Sequence, residues 1–225
     1  SILNQTYKNF EVIIIYDDEE NSDFVFLKKI KNLDKRIFLF KNKKNIGAGL
    51  SRNKGIKLSR GKFIAFLDAD DTWHRDKLKK QIYFMKKNSI KISCTSFIVT
   101  DTHGNHLKNR LVKKIYTFND LLTDCPIGLS TVMIKKEIVN RNLKFPNLKT
   151  KEDYVMWLKI SKIYSIYGIN SKLTYWRNTD NSLSKNITQK FLDGFRVYKI
   201  YLNLSVIRSS YHLILLTINY LLKNK

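Results

Sequence analysis

Lys62-Phe63-Ile64-Ala65-Phe66-Leu67-Asp68-Ala69-Asp70-Asp71 passes from apolar to acidic within one short stretch. The run Lys62 to Leu67 reads as a strand, and three carboxylates stand at its carboxyl end. In open α/β sheets, ligands bind in the crevice beyond that end of the strands. Residues two apart on an extended chain point the same way, so Asp68 and Asp70 are expected to converge on one point. Three like charges so close repel one another, and a hard divalent cation with oxygen ligands, Mg²⁺ or Mn²⁺, is the natural offset. The competing role is structural: Asp71 or Thr72 can cap the helix expected from Arg75.

Outward from this stretch, strands alternate with helices. Glu11 to Tyr16 reads as a buried strand, Ser22 to Leu33 as a helix, Arg36 to Phe40 as a strand and Gly49 to Ser59 as a helix closed by Gly61. Arg75 to Lys87 carries Leu78, Ile82 and Met85 on one helical face, and Ile90 to Thr100 is a strand ending in a turn at Asp101 to Asn105. This order implies an α/β fold with a mostly parallel central sheet. In the second half, Ser130 to Ile134 and Leu173 to Trp176 read as strands and Glu152 to Ile163 as a helix. Phe191 to Leu222 reads as one or two C-terminal helices. The most apolar part, Tyr211 to Leu222, is too short for a bilayer span, which takes ~20 residues. It is expected either to pack on the domain or to lie in a membrane interface, with Lys199, Arg208, Lys223 and Lys225 nearby. The division expected is residues 1–185 for the catalytic domain and 186–225 for a helical, membrane-associating segment.

In 225 residues, 42 Lys and Arg oppose 19 Asp and Glu, giving a net charge of +23, while 43% of the chain is hydrophobic. Disordered and fibrous classes are excluded. The charge suits polyanions or phosphate-bearing molecules, but Lys-, Asn- and Ile-rich usage also follows from an AT-rich genome. A nucleic-acid-binding module needs basic and aromatic residues interleaved on one element. The Lys pairs 79–80, 86–87 and 113–114 are scattered instead, so no nucleic acid is expected. Cys94 and Cys125 fit neither a disulfide framework nor a metal site, and a cytoplasmic location follows.

Two chemistries compete for the acids. Asp68-Ala69-Asp70-Asp71-Thr72 matches the D-x-D-x-T signature of haloacid-dehalogenase-type phosphatases, but that motif belongs on a first strand, and two strand–helix units precede it here. The wider sequence resembles the family-2 glycosyltransferases. Ser1 to Asp18 resembles their opening, with Gln5-Thr6-Tyr7 and Glu11-Val12-Ile13-Ile14-Ile15-Tyr16-Asp17-Asp18. Asn45-Ile46-Gly47, Ser51-Arg52-Asn53-Lys54-Gly55 and Gly61 to Asp71 continue it in order. Lys151-Glu152-Asp153-Tyr154-Val155-Met156-Trp157 resembles the acceptor-side motif, and Tyr175-Trp176-Arg177 with Asn181-Ser182-Leu183-Ser184 resembles the segment near the domain's end. The family's first strand and P-x-Y-N segment are not matched, which places Ser1 inside the family's first helix. Its G-S-T-D is replaced by Glu19 to Asp23. An inactive transferase fragment is a further alternative.

The resemblance implies a GT-A fold, a nucleotide-sugar donor, usually UDP-linked, and inversion at the anomeric carbon. Asp18 would contact the base, Arg52 the nucleotide or diphosphate, and Asp68 the ribose and metal. Asp70 would be the metal ligand and Asp153 the base that takes the acceptor's proton. Asp71, Glu152, Trp157 and Arg177 are candidates for diphosphate or acceptor contacts, although Trp157 and Trp176 are also natural core residues. The acceptor expected is a glycan or lipid-linked molecule of surface polysaccharide synthesis, reached at the inner face of the cell membrane.

Overall fold

β-branched and aromatic runs form the strands. Val12–Tyr16 (β1) and Ile37–Lys41 (β2) pair in parallel, with Val12 opposite Ile37 and Tyr16 opposite Lys41. A parallel pair needs a crossover, which α1 (Ser22–Lys31) provides. After β2 the chain turns into α2 (Ala48–Leu58), which packs back on β1 with Gly55 facing Ile15. The computed structural model describes residues 1–139, 143–179 and 187–222.

A second, seven-stranded sheet comprises β3 (Phe63–Ala65), β4 (Thr72–Trp73), β5 (Ile92–Thr100), β6 (His106–Arg110), β7 (Ile115–Tyr116), β8 (Met133–Lys135) and β9 (Ile166–Arg177). Its order is β3-β8-β5-β9-β4, with β6 on β5 and β7 on β9. β5 and β9 run in parallel from Ser93 opposite Tyr167 to Thr100 opposite Arg177, while the shorter strands enter antiparallel. The expected α/β architecture is therefore present, with a mixed sheet. The tight β5–β6 turn explains one antiparallel pair: Asp101 Oδ1 accepts the His103 and Asn105 amides at 2.9 and 2.8 Å.

After α3 (Lys77–Lys87) and α4 (Phe118–Leu122) on the chain, α5 (Glu152–Ser161) forms the centre of the core. Tyr154, Val155, Met156, Trp157, Leu158 and Ile160 are all buried, the pattern of a helix covered on every side. α6 (Ile187–Arg196), a π-helical turn at Val197–Tyr201 and α7 (Val206–Leu222) cover it. The Tyr198 hydroxyl lies 3.0 Å from that of Tyr154 and donates to Leu122 O at 2.7 Å, and Asn219 Nδ2 donates to Thr123 O at 2.8 Å. Among the described residues no helix is long and apolar enough to cross a membrane.

Several expectations need correction. Residues 1–11 form no helix; they are an extended strap pinned to α3, because Gln5 is buried and its Oε1 accepts the Leu78 amide at 3.0 Å. That satisfies one of the amides a helix start leaves orphaned, so Gln5 does the capping expected of Asp71 or Thr72. β1 is half-buried rather than buried, since β2 is its single strand partner among the described residues. Ser130 lies in a 3₁₀ turn, Leu129–Thr131, before β8, and β9 is far longer than Leu173 to Trp176. Gly61 does not close α2: Leu58 ends it, and the Gly61 amide donates to Glu11 Oε1 at 3.0 Å. The motif at Asn181 to Ser184 and the 185/186 boundary fall outside the described residues.

Candidate active site

The site is built by α2. Its N-cap, Gly47, has φ +87°, a conformation cheap only for glycine. Gly49 permits a close approach, since a Cβ there would stand 2.5 Å from Pro146 O. Two consecutive residues then reach opposite ways. Ser51 Oγ accepts from Asn42 Nδ2 at 2.8 Å, and that amide also donates to Asp17 Oδ1 at 2.7 Å, fixing the loop tips beyond β1 and β2. Arg52 Nη2 donates to Asp68 Oδ1 at 2.8 Å, while Nη1 donates to Glu152 Oε1. One guanidinium thus ties the turn after β3 to the start of α5. Burial works against the Arg52 charge, but Asp68 and Glu152 outweigh it and raise its pKa.

The chain enters α5 through Lys151, whose φ of +61° is left-handed, and Glu152 and Asp153 fill the first turn at the positive end of the helix dipole. The approach is held from α6. Thr150 N and Oγ1 each donate to Asp193 Oδ2 at 3.0 Å, and Arg196 Nη1 donates to Asp193 Oδ1 at 3.0 Å. Burial, and next the Glu152 charge, push the Asp153 carboxyl above the ordinary carboxylate range, with Arg52 pulling the other way. Asp153 keeps part of its surface open. A partly exposed carboxylate with raised affinity for a proton is suited to general base work.

The three acids after β3 have separate fates. β3 stops at Ala65, and Asp71 N donates to Asp68 O at 3.1 Å, so residues 68–71 form a turn and the expected strand alternation of Asp68 with Asp70 does not apply. Asp70 is exposed. Asp71 is 5% exposed, which corrects its expected role as a diphosphate or acceptor contact. Its Oδ1 accepts the Arg177 amide at 3.0 Å, tying the turn to the end of β9, and its Oδ2 is buried without a hydrogen-bond partner. Burial pushes its carboxyl up to about 7, against the pull of the Ser130 hydroxyl and the Arg177 amide. Among the described residues no three His, Cys, Asp or Glu side chains group as a metal site. Mg²⁺ and Mn²⁺ do not require three, since such ions keep waters and complete their shell with substrate phosphates. Exposed Asp70, with Asp68 on the same turn, fits that mode of binding.

Of the remaining candidates, Asp18 lies exposed beyond β1, its Oδ1 accepting the Glu20 amide at 3.2 Å, and is not joined to the Arg52 network. Trp157 is corrected: it packs between Phe66 and Phe145, with ring centroids 6.3 and 6.1 Å away, closed to any acceptor. Trp176, expected in the core, is 37% exposed on β9. Ser130, Asp17 and Asp193 escaped the sequence reading. Ser130 Oγ accepts the Asp68 amide at 3.0 Å, and its carbonyl accepts Trp73 Nε1 at 2.8 Å and Thr174 Oγ1 at 3.2 Å. A serine beside Gly128 and Leu129 carries no signal of this, whereas Asp17, half of an acid pair at a strand tip, did.

Comparison with known proteins gives the family and the fold. The model of the family described as "Glycosyl transferase family 2" matches residues 1–143. The putative teichuronic acid biosynthesis glycosyltransferase TuaG of Bacillus subtilis is 34% identical over 188 residues, covering 83% of this chain and 74% of that protein. The Escherichia coli UDP-Glc:alpha-D-GlcNAc-diphosphoundecaprenol beta-1,3-glucosyltransferase WfgD is 37% identical over 188 residues, covering 83% and 72%. An uncharacterized glycosyltransferase of Rickettsia bellii is 39% identical over 189 residues, but the chain spans only 27% of its length. Staphylococcus aureus TarS 1–349 in complex with UDP-GlcNAc superposes with a TM-score of 0.73 at 17% identity, over 96% of this chain and 65% of that one. The mannosyltransferase PcManGT of Pyrobaculum calidifontis, in complex with GDP-Man and Mn²⁺, gives a TM-score of 0.68 at 13% identity, over 94% and 63%. The phosphatase alternative loses its ground, since Thr72 opens β4 beside β9 and the matching relatives are transferases. With an Arg52-centred ion-pair network in a GT-A fold and a family match over residues 1–143, the chain is a glycosyltransferase and belongs to glycosyl transferase family 2.

Proposed function

We propose that the chain moves a sugar, with inversion, from a UDP-sugar to a hydroxyl of a glycan or lipid-linked acceptor in surface polysaccharide synthesis. The observation that carries this is the single Arg52 guanidinium shared between Asp68 and Glu152, with Asp153 next in the chain. Acids from the turn after β3 and from the start of α5 are thereby held in a fixed relation around a cation. The relatives add the chemistry by name: WfgD uses UDP-Glc and a diphosphoundecaprenol-linked GlcNAc, and TarS was solved with UDP-GlcNAc.

In this reading Asp18 contacts the base of the donor, and Asp68 and Arg52 line the ribose and diphosphate. Arg52, always cationic, offers charge to the diphosphate while it bridges Asp68 and Glu152. Asp70, with Asp68, holds Mg²⁺ or Mn²⁺, whose contribution when bound is to neutralise charge that grows on the departing nucleoside diphosphate. Asp153 accepts the acceptor hydroxyl's proton as that oxygen attacks the anomeric carbon on the face opposite the leaving group. Glu152 is the anchor for Arg52, and Arg177 serves the site through its amide on Asp71.

Isothermal titration with UDP, GDP, ADP and CDP, each with and without Mn²⁺, tests the donor assignment. UDP is expected to bind most tightly, at least about tenfold ahead of the others (~1.4 kcal/mol), and more tightly with Mn²⁺. A chain that binds none of them under either condition overturns the reading.

A further inference from the structure

α7 is apolar on its outer face as well as its inner one. A helix at a protein surface ordinarily turns its apolar stripe to the core and its polar residues outward. Here Ile207 is 83% exposed, and Tyr211, Ile214, Ile218, Leu221 and Leu222 are each between 46 and 64% exposed. The spacing of these residues follows the helical repeat, so they form one outward stripe. The face toward the protein mixes Leu213 and Leu216 with polar groups: Ser209 is fully buried, Asn219 bonds Thr123 O, and the His212 ring stacks on Tyr198 with centroids 5.4 Å apart. α6 and the π turn add Ile187, Phe191, Leu192 and Ile200, each 48 to 70% exposed.

The charges around this layer are of one sign. Residues 187–222 contain Lys190, Arg196, Lys199 and Arg208 against one acid, Asp193, which is buried and bonded to Thr150 and Arg196. We propose that α7 lies in the plane of an anionic lipid bilayer, its Ile207–Leu222 stripe in the headgroup–acyl boundary and the neighbouring cations on the headgroups. An apolar stripe selects a non-aqueous neighbour, and cations without exposed acids select an anionic one. Tyr211 and Tyr220 are also the residue type that favours the membrane–water boundary. A second copy of the chain is the weaker occupant, because it would bring the same cations together across the contact. The inference rests on the lipid-linked acceptor of the proposed function for its purpose, and on the exposed stripe for its physics.

Sedimentation with vesicles tests it, using phosphatidylglycerol mixed into phosphatidylcholine against phosphatidylcholine alone. The chain is expected to bind the anionic vesicles, more weakly as salt rises. Ile207→Gln with Ile214→Gln and Ile218→Gln should abolish binding while UDP titration is unchanged, which separates this surface from the donor site. Lys199→Gln with Arg208→Gln, which leaves the apolar stripe intact, should weaken partitioning by about 25-fold; this pair decides the matter if the triple variant does not fold. No binding to anionic vesicles, equal binding by every variant, or a lipid-free dimer in ultracentrifugation that the triple variant dissociates would each overturn the proposal.

Discussion

The ion-pair network around Arg52 and the layer formed by α6 and α7 break the same rule in opposite directions. Around Arg52 the chain draws charges inward: Arg52, Glu152 and Asp71 are largely withdrawn from water, each held by a partner from another element. Along α7 it turns isoleucine and leucine outward and keeps Ser209 and Asn219 within. Buried charge and exposed apolar stripe each oppose folding, and a sequence retains such features where function uses them. The two regions also touch. Asp193 of α6 clamps Thr150, two residues before Glu152, so the outward-facing layer holds the entry to the catalytic helix. If the two regions have separate tasks, variants in one should leave the readout of the other alone.

The largest separation is expected at Asp70. Because the carboxylate is exposed and makes no hydrogen bond to the described fold, Asp70→Ala should change stability by no more than about 0.5 kcal/mol. Metal-dependent sugar transfer should nevertheless fall below detection, with vesicle binding unchanged. A variant that transfers sugar as well as the parent removes the metal from Asp70. Asp153→Asn comes next, with an expected loss of ~10²–10⁴ in kcat, the contribution of a positioned general base. The parent should show an acid limb in kcat above the ordinary carboxylate range near ~3.9, because burial favours the protonated form and only the carboxylate accepts a proton. Activity therefore rises with pH through that limb, and the Asn variant should lose it. A limb that survives in Asp153→Asn assigns the base elsewhere.

The sequence made the candidate site legible because its chemistry is concentrated: an apolar strand running into Asp68-Ala69-Asp70-Asp71, and an acid pair opening an apolar helix at Glu152. The order of strands and helices in residues 12–100 was equally readable from periodicity, apart from the two-residue β4. What escaped depended on tertiary partners. Asp70 and Asp71 are neighbours of identical chemistry, yet one is exposed and the other is buried against the Ser130 hydroxyl and the Arg177 amide at the end of β9. Lys77, which nothing in the sequence singles out, is fully buried against Trp73, bonded to Gln81 Oε1 at 2.8 Å, and burial pushes its pKa down to about 7. The Gln5-Thr6 motif, carried by resemblance, turned out to be a cap on α3. The outward apolar face of α7 could not be seen in advance, because a periodic apolar stripe does not reveal which side of the helix meets the protein.

The smallest expected effect is at Ser130, and it tests whether the acids of the site are held by the fold or merely placed near one another. The hydroxyl accepts the Asp68 amide and draws the Asp71 carboxyl down against its burial. Ser130→Ala leaves a partly buried amide without its acceptor and should cost about 1 kcal/mol of stability near neutral pH. The pH dependence carries the sharper information. The folded pKa of Asp71, about 7, lies above its unfolded value, so the stability linked to protonation is fully present below ~4 and is lost as pH rises through the folded value. Without the hydroxyl the folded pKa climbs further, so in metal-free buffer the decline should extend to higher pH and end deeper, the gap between parent and variant widening above neutrality and narrowing in acid to the constant cost of the Asp68 amide. Thermal melts across that range read this directly. Parallel curves would mean that Ser130 supports Asp68 alone, and that the Arg177 amide by itself sets the state of Asp71.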